Sequence, residues 1–325
     1  MAGGSRAVVI KALAANAGIA IAKFVAAGIS GSAAMLSEAV HSLADSGNQL
    51  FLLIGMRRST REEDAIHEFG YAGERYFWAF IVAVSLFTMG ATFSIYEGMH
   101  KIRHPGGEMG SRTVAYIVLG VSIALELFSL NAAAAEFRHV KAGRSLKRTI
   151  DEARDAVVIV VLFEDVAALV GLFAALGGLL MTQLTGNAVW DGVGSMVVGV
   201  TLFAVAYFLA RKTKQLIIGQ SVTPGQRARM IEIIESSPGV RQLVHMRTMH
   251  LGPEEVLVGM KVIFDEALRT SDATQLVDVI EARLRAEIPV LKRIYIEIGT
   301  PENPAARLTG GIAAQSPPSP TEETL

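Results

Sequence analysis

Apolar residues in this chain run in long blocks, without the strict alternation of a half-buried strand or the three-to-four spacing of a surface helix. Six blocks reach the roughly 20 residues that a helix needs to cross a bilayer. They are 7–29, 33–56, 76–99, 113–135, 156–182 and 189–210. Gly, Ala and Ser recur inside them, which suits close helix packing in lipid. Trp78 and Trp190 stand near block ends, where indoles favour the membrane interface.

After Lys214 the pattern becomes that of a soluble domain. Thr223 and Pro224 open a helical stretch. Alternation follows over 240–250 and 256–264, with a turn at Gly252 and Pro253. A second amphipathic helix spans 271–288 with Ser271 at its N-cap, and 293–298 reads as a last strand. The expected architecture is therefore α-helical in the membrane, with six transmembrane helices in 1–214. A small cytoplasmic αββαβ domain of ferredoxin-like or metallochaperone-like form follows in 215–300. The segment 301–325, rich in Pro, Gly, Ser and Thr, reads as a disordered tail.

Composition agrees with a polytopic membrane protein: of 325 residues, 51% are hydrophobic and only 19% charged. A net charge of −1 gives no electrostatic case for nucleic acid. Cysteine is absent, which removes disulfides and thiolate ligands from consideration. The N-terminal apolar run has a basic start but no cleavage site, and reads as a first transmembrane helix and not as a signal peptide. Basic residues set the orientation. Arg57, Arg58, Arg61 and Arg75 lie between the second and third blocks. Arg138, Lys141, Arg144, Lys147, Arg148 and Arg154 lie between the fourth and fifth. Arg211, Lys212 and Lys214 follow the sixth. This bias places both termini in the cytoplasm, and the lack of a targeting segment points to a cell (inner) membrane.

The chemistry concentrates in the second block. His41 and Asp45 are four residues apart, so on a helix they stack on one face about 6 Å apart along the axis. Ionisable groups at membrane depth are costly and normally face a pathway or one another. An imidazole and a carboxylate on one face are half of a divalent-metal site. The alternative is a polar link between helices through Asn16 or Asn131. In the fifth block, Glu164 and Asp165 have no basic residue between 156 and 210 to neutralise them, so they protonate, find a partner on another helix, or bind a cation. Neighbouring residues point about 100° apart, so one ion is not easily reached by both. Asp165 is the expected ligand opposite His41 and Asp45, with Glu164 as a further ligand or proton relay. Glu126 and Glu97 are weaker candidates.

The stretch GSAAMLSEAVHSLADSGNQ (31–49), HEFGYAGERY (67–76) and WDGVGSMVVG (190–199), on a six-helix layout with an αββαβ domain, resembles the cation diffusion facilitator family. Within it, FEDVAALVG (163–171) is similar to the branch of the mitochondrial-type zinc transporters. The resemblance implies a homodimer whose protomers exchange a divalent ion, usually Zn2+, for protons. It also implies two ligands four apart on the second helix, matched by His41 and Asp45, and two on the fifth. Asp165 matches the second of these, and Val161 stands at the first. Asp64 and His67 fit part of a further metal site in the loop before the third helix, where Tyr71 replaces a His. Asp191 matches an acid heading the sixth helix, where capping is an equal reading. In the soluble domain Val244, Met260, Glu297 and Gly299 stand at positions where zinc-binding members have His or Asp. That domain is expected to dimerise without the usual dinuclear site, although His245 and His250 lie on its first strand.

The expected function is metal/proton antiport by alternating access, with export from the cytoplasm. Metal is the transported substrate here, and no cofactor is expected. Deprotonated His and carboxylate bind metal and their protonated forms release it, which couples the two flows. No Walker motif supplies nucleotide energy. Nitrogen and oxygen ligands also suit Mn2+, Fe2+, Co2+ and Ni2+. No enzyme is expected: an intramembrane hydrolase would need a motif such as HExxH, which is missing. The remaining alternatives are a channel and a membrane-bound sensor or scaffold.

Overall fold

The computed structural model describes residues 2–104, 112–141, 143, 145–154 and 156–300. The expected tail, 301–325, and Arg144 of the expected basic loop lie outside the described residues. Two compact units divide the chain, the first ending at Ile218 and the second beginning at Gly219.

The first unit is helical throughout. Its long helices are α1 (Ala2–Ser30), α2 (Ala33–Arg58), α3 (Glu74–Arg103), α4 (Arg112–Lys141), α5 (Ala156–Thr185) and α6 (Val189–Ile218). A two-turn helix, Leu146–Glu152, precedes α5. Among the described residues four helices are long and apolar enough to cross a membrane, namely α3, the 113–131 part of α4, most of α5, and α6. In α1 the described apolar part is the shorter Asn16–Ser30. In α2 the polar residues on its buried side lower the mean hydropathy. The protein is a multi-pass membrane protein.

The helices outrun the apolar blocks, because hydrogen bonding continues past the last apolar residue. For α6 the helix extends from the expected 210 to Ile218. One feature was not expected from the pattern: α3 contains a π-helical segment, Leu86–Ala91. There Thr92 bonds the Phe87 carbonyl through both its N–H and its hydroxyl, the latter at 2.9 Å. Such wide turns insert one residue into a helix and shift which face looks inward.

Two apolar clusters hold the unit. One joins Leu52 of α2, Tyr76, Val82 and Leu86 of α3, and Leu202 and Leu209 of α6. The other joins Ala26 of α1, Met35 of α2, Leu119 of α4, and Leu172 and Leu179 of α5. Where α3 and α6 cross, Gly98 and Gly192 face each other. A Cβ added at either would stand 2.8 Å from the carbonyl oxygen of the other. Only hydrogen side chains permit that approach, as in other membrane helix pairs.

The second unit runs α7 (Pro224–Glu235), β1 (Val240–Gly252), β2 (Glu255–Phe264), α8 (Thr270–Glu287) and β3 (Leu291–Gly299). The sheet order is β1-β2-β3, with β1 and β2 antiparallel and β2 and β3 parallel. Helix α7 opens on a capping box between Thr223 and Gln226. Helix α8 starts one residue earlier than expected. Arg269 is its extended N-cap, with no side-chain bond, and the Ser271 hydroxyl instead reaches Asp272 at 3.1 Å. Met230, Ile234, Val258, Met260, Ile280 and Leu284 fill the core between sheet and helices.

Candidate functional site

Helix α2 turns a polar face inward. Glu38, His41, Asp45 and Asn48 recur at three- and four-residue spacing, so they stack along one side of the helix. Glu38, His41 and Asn48 are fully enclosed, and Asp45 is 9% exposed. His41 Nδ1 stands 3.4 Å from Asp45 Oδ1. Neither ring nitrogen of His41 has a hydrogen-bond partner, and Asp45 Oδ1 has none. The link to Asn16 or Asn131 is therefore not made by His41. Buried polar atoms are nearly always satisfied in folded proteins, and those without a partner mark places where water or an ion belongs. Asn48 Oδ1 and Gln49 Oε1 are in the same condition on the next turn.

Across from α2, helix α5 contributes its two acids to different neighbours. Asn48 Nδ2 donates to Glu164 Oε1 at 2.8 Å, so Glu164 is held against α2. Asp165 points about 100° away and accepts from Ser129 Oγ of α4 at 3.0 Å. The arrangement thus brings together His41, Asp45 and, one turn along, Glu164, while Asp165 faces another helix. Among the described residues no group of three or more His, Asp or Glu side chains is close enough to hold one metal ion. Val161 is half-buried and offers no donor. Charged groups acting on Asp45 are Glu164, Glu126, Lys23 and Glu38.

Asp191 heads α6 but serves α2. Its Oδ1 accepts from Ser32 Oγ at 2.5 Å, and its Oδ2 accepts from Ala33 N at 2.6 Å. Ala34 N adds a longer bond to Oδ1 at 3.4 Å. The carboxylate thus satisfies first-turn donors of α2, and not those of the helix it heads. One turn further, the Ser37 and Ser195 hydroxyls bond each other, and Ser195 donates to the Ser94 carbonyl at 2.8 Å. These polar contacts tie α2, α3 and α6 together at the end where α2 and α6 begin.

In the loop before α3, Asp64 and His67 lie side by side, 3.6 Å apart and largely exposed. Asp64 is occupied in shaping the loop. Its Oδ1 accepts from Ile66 N at 3.0 Å and His67 N at 2.8 Å, and its Oδ2 from the Tyr71 hydroxyl at 2.6 Å. The Tyr71 bond, helped by the backbone N–H groups, holds the carboxyl down at about 2. In the second unit, Glu297 pairs with Lys261 at 2.6 Å and Met260 is buried in the core. His250 is buried with Nδ1 3.0 Å from the Gln220 carbonyl.

Lys23 is a member of this polar cluster that the spacing of the acids and His41 does not announce. This residue of α1 is fully enclosed, donating from Nζ to Ser42 Oγ at 2.7 Å and to Glu38 Oε2 at 3.2 Å. The available signal was a lysine inside an apolar block, which is costly in lipid and therefore rarely idle.

Comparison with known proteins follows the same division of the chain. A family model for the cation efflux transmembrane domain matches residues 9–218, and one for the cation efflux protein cytoplasmic domain matches 223–299. The chain is 36% identical over 251 residues to the proton-coupled zinc antiporter SLC30A9, mitochondrial, of Xenopus laevis, covering 77% of this chain and 45% of that one. It is 30% identical over 230 residues to metal tolerance protein C4 of Arabidopsis thaliana, covering 69% of this chain and 49% of that one. The chain thus spans about half the length of these curated relatives. A solved MamM CTD structure shares 20% identity with a TM-score of 0.22, over 23% of this chain and 95% of that one.

Proposed function

The chain belongs to the cation efflux family, and from that premise we propose that it is a Zn2+/H+ antiporter exporting metal from the cytoplasm by alternating access. The observation that carries this reading is the enclosed, unpartnered set of His41 Nδ1, His41 Nε2 and Asp45 Oδ1 on the inward face of α2. Nitrogen and oxygen donors of this kind suit zinc. The relatives' printed names, proton-coupled zinc antiporter among them, support the same substrate.

In this reading His41 and Asp45 are the α2 ligands. Asp165 is the third, on its match to the family motif. To reach the ion it gives up Ser129 and turns toward α2. Glu164, held by Asn48 one turn along, carries a proton to and from the site. Metal binds the deprotonated groups and is displaced as they take up protons, so the pH gradient drives export. We place six spans in the membrane with both termini in the cytoplasm, on the bias of Arg and Lys toward one side. The protein works as a homodimer, with the cytoplasmic-domain match as support. Asp64 and His67 shape their loop and bind no metal, and no enzymatic step is involved.

The test is metal flux in proteoliposomes, offering Zn2+, Mn2+, Co2+ and Fe2+ with and without an opposing pH gradient. Gradient-driven Zn2+ uptake is expected in the wild type, with uptake abolished in His41→Ala and Asp165→Asn. Glu164→Gln is expected to keep zinc binding and lose the dependence on pH. Loss of binding in Glu164→Gln with retention in Asp165→Asn would exchange the two roles. Folded wild-type protein that moves no metal would overturn the reading.

A further inference from the structure

Lys23 has a use that the transport reading leaves unassigned. Its Cα lies about 10 Å inside the end of α1, seven residues before Ser30 at about 1.5 Å each. Its ammonium is held by Glu38 Oε2 and Ser42 Oγ, the residues that flank His41 by three before and one after. A buried carboxylate and a hydroxyl on one helix face make an oxygen-lined cation position in their own right.

A purely structural pair would leave other marks. Buried ion pairs that only hold helices together exchange for apolar contacts at little cost, and fully bonded networks are the ones that rigidify a core. Here Glu38 Oε1 has no hydrogen-bond partner although it is enclosed. Helix α5 makes room for that oxygen with Gly171, where an added Cβ would run into it. Among the described residues, Lys23 is also the cation whose field reaches Glu38, His41, Asp45 and Glu126 together.

We propose that Lys23 is a tethered resident cation: its ammonium fills the Glu38–Ser42 position and keeps a second metal ion out, so that the pathway loads only at His41 and Asp45. This rests on the transport reading, and it assigns to Lys23 the limit on how many ions a protomer takes.

The experiment is equilibrium dialysis of Zn2+ against the detergent-purified protein, with flux measured on the same preparations. Lys23→Met frees the Glu38 carboxylate and is expected to bind one additional Zn2+ per protomer over wild type. The double variant Lys23→Met/Glu38→Gln removes that carboxylate and is expected to return to the wild-type number. Lys23→Arg keeps a cation in place and should match wild type throughout. Should Lys23→Met fail to fold, Lys23→Gln retains a donor for Ser42 and is expected to show the same extra ion. A folded Lys23→Met or Lys23→Gln with the wild-type number of bound ions would overturn the proposal. So would failure of both to fold while the double variant folds and transports normally, since the pair would then be structural alone. If wild type itself neither binds nor moves Zn2+, the transport reading fails instead, and the two failures are distinct.

Discussion

Replacing Asp191 with alanine should free the first turn of α2 by about 3 kcal/mol. The carboxylate receives two short bonds, from Ser32 Oγ at 2.5 Å and Ala33 N at 2.6 Å, and a third at 3.4 Å from Ala34 N. Hydrogen bonds to a charged group contribute about 1.5–3 kcal/mol each, and a buried donor left without a partner costs about 1–3 kcal/mol. Taking the low end for the two short bonds, because water can enter the space left by the side chain, gives about 3 kcal/mol. Each factor of ten corresponds to about 1.4 kcal/mol, so amide protection in the first turn should fall roughly a hundredfold. Hydrogen exchange of peptides covering Ala33 and Ala34 measures this directly, with α5 as an internal reference. Asp191→Asn keeps an acceptor for Ala33 N but turns an amide donor toward Ser32 Oγ, which already accepts from Met35 N at 3.1 Å. Its loss should be nearer tenfold. Unchanged exchange at Ala33 and Ala34 in a folded Asp191→Ala protein would refute the capping argument.

Close packing and loop chemistry give two further tests. Gly98→Ala should cost about 1–3 kcal/mol or more, because the new Cβ meets Gly192 O at 2.8 Å and Met196 N at 2.9 Å, neither of which can swing aside. Apparent thermal stability in detergent reads it, with Gly18→Ala, which meets nothing within 4 Å, as the control that does not lose stability. For the loop, Asp64 is depressed from 3.8 to about 2, chiefly by the Tyr71 hydroxyl. Its stabilisation of the turn is therefore complete above 3.8 and is lost as pH falls through about 2. Tyr71→Phe removes the largest cause, so a carboxyl NMR titration should show Asp64 moving back up toward its ordinary value.

Much of this organisation is legible in the sequence because it is local. The spacing of His41 and Asp45 fixes their shared face, and Thr223 followed by Gln226 announces the box that opens α7. What escapes is whatever depends on another part of the chain. Ser32 and Asp191 are 159 positions apart, so no window could say that the acid heading α6 would serve α2. The split of Glu164 from Asp165 depends on the rotation of α5. The structure supplies that rotation: Ala168, Leu172, Ala175 and Leu179 are buried while Val166, Val170 and Phe173 are exposed, all of them apolar, and Glu164 falls in register with the buried set. The π segment of α3 carries no local signal, since Leu86–Ala91 reads as ordinary apolar helix.

Helix α2 therefore stacks its polar groups in rungs one turn apart: Lys23 with Glu38 and Ser42, then His41 with Asp45, then Asn48 with Glu164. Beyond the first rung, toward the start of α2, polar contacts are shared among α2, α3 and α6, ending in Asp191. Under the antiport reading this end must part for metal to leave, and its bonds set the cost of parting in the absence of protons. Weakening them lowers that cost without touching His41 or Asp45. Asp191→Ala should accordingly bind Zn2+ as wild type does, yet pass it in proteoliposomes without an opposing pH gradient, where wild type is still. A variant that binds zinc normally and remains fully gradient-dependent would show that Asp191 holds the helix start but not the gate.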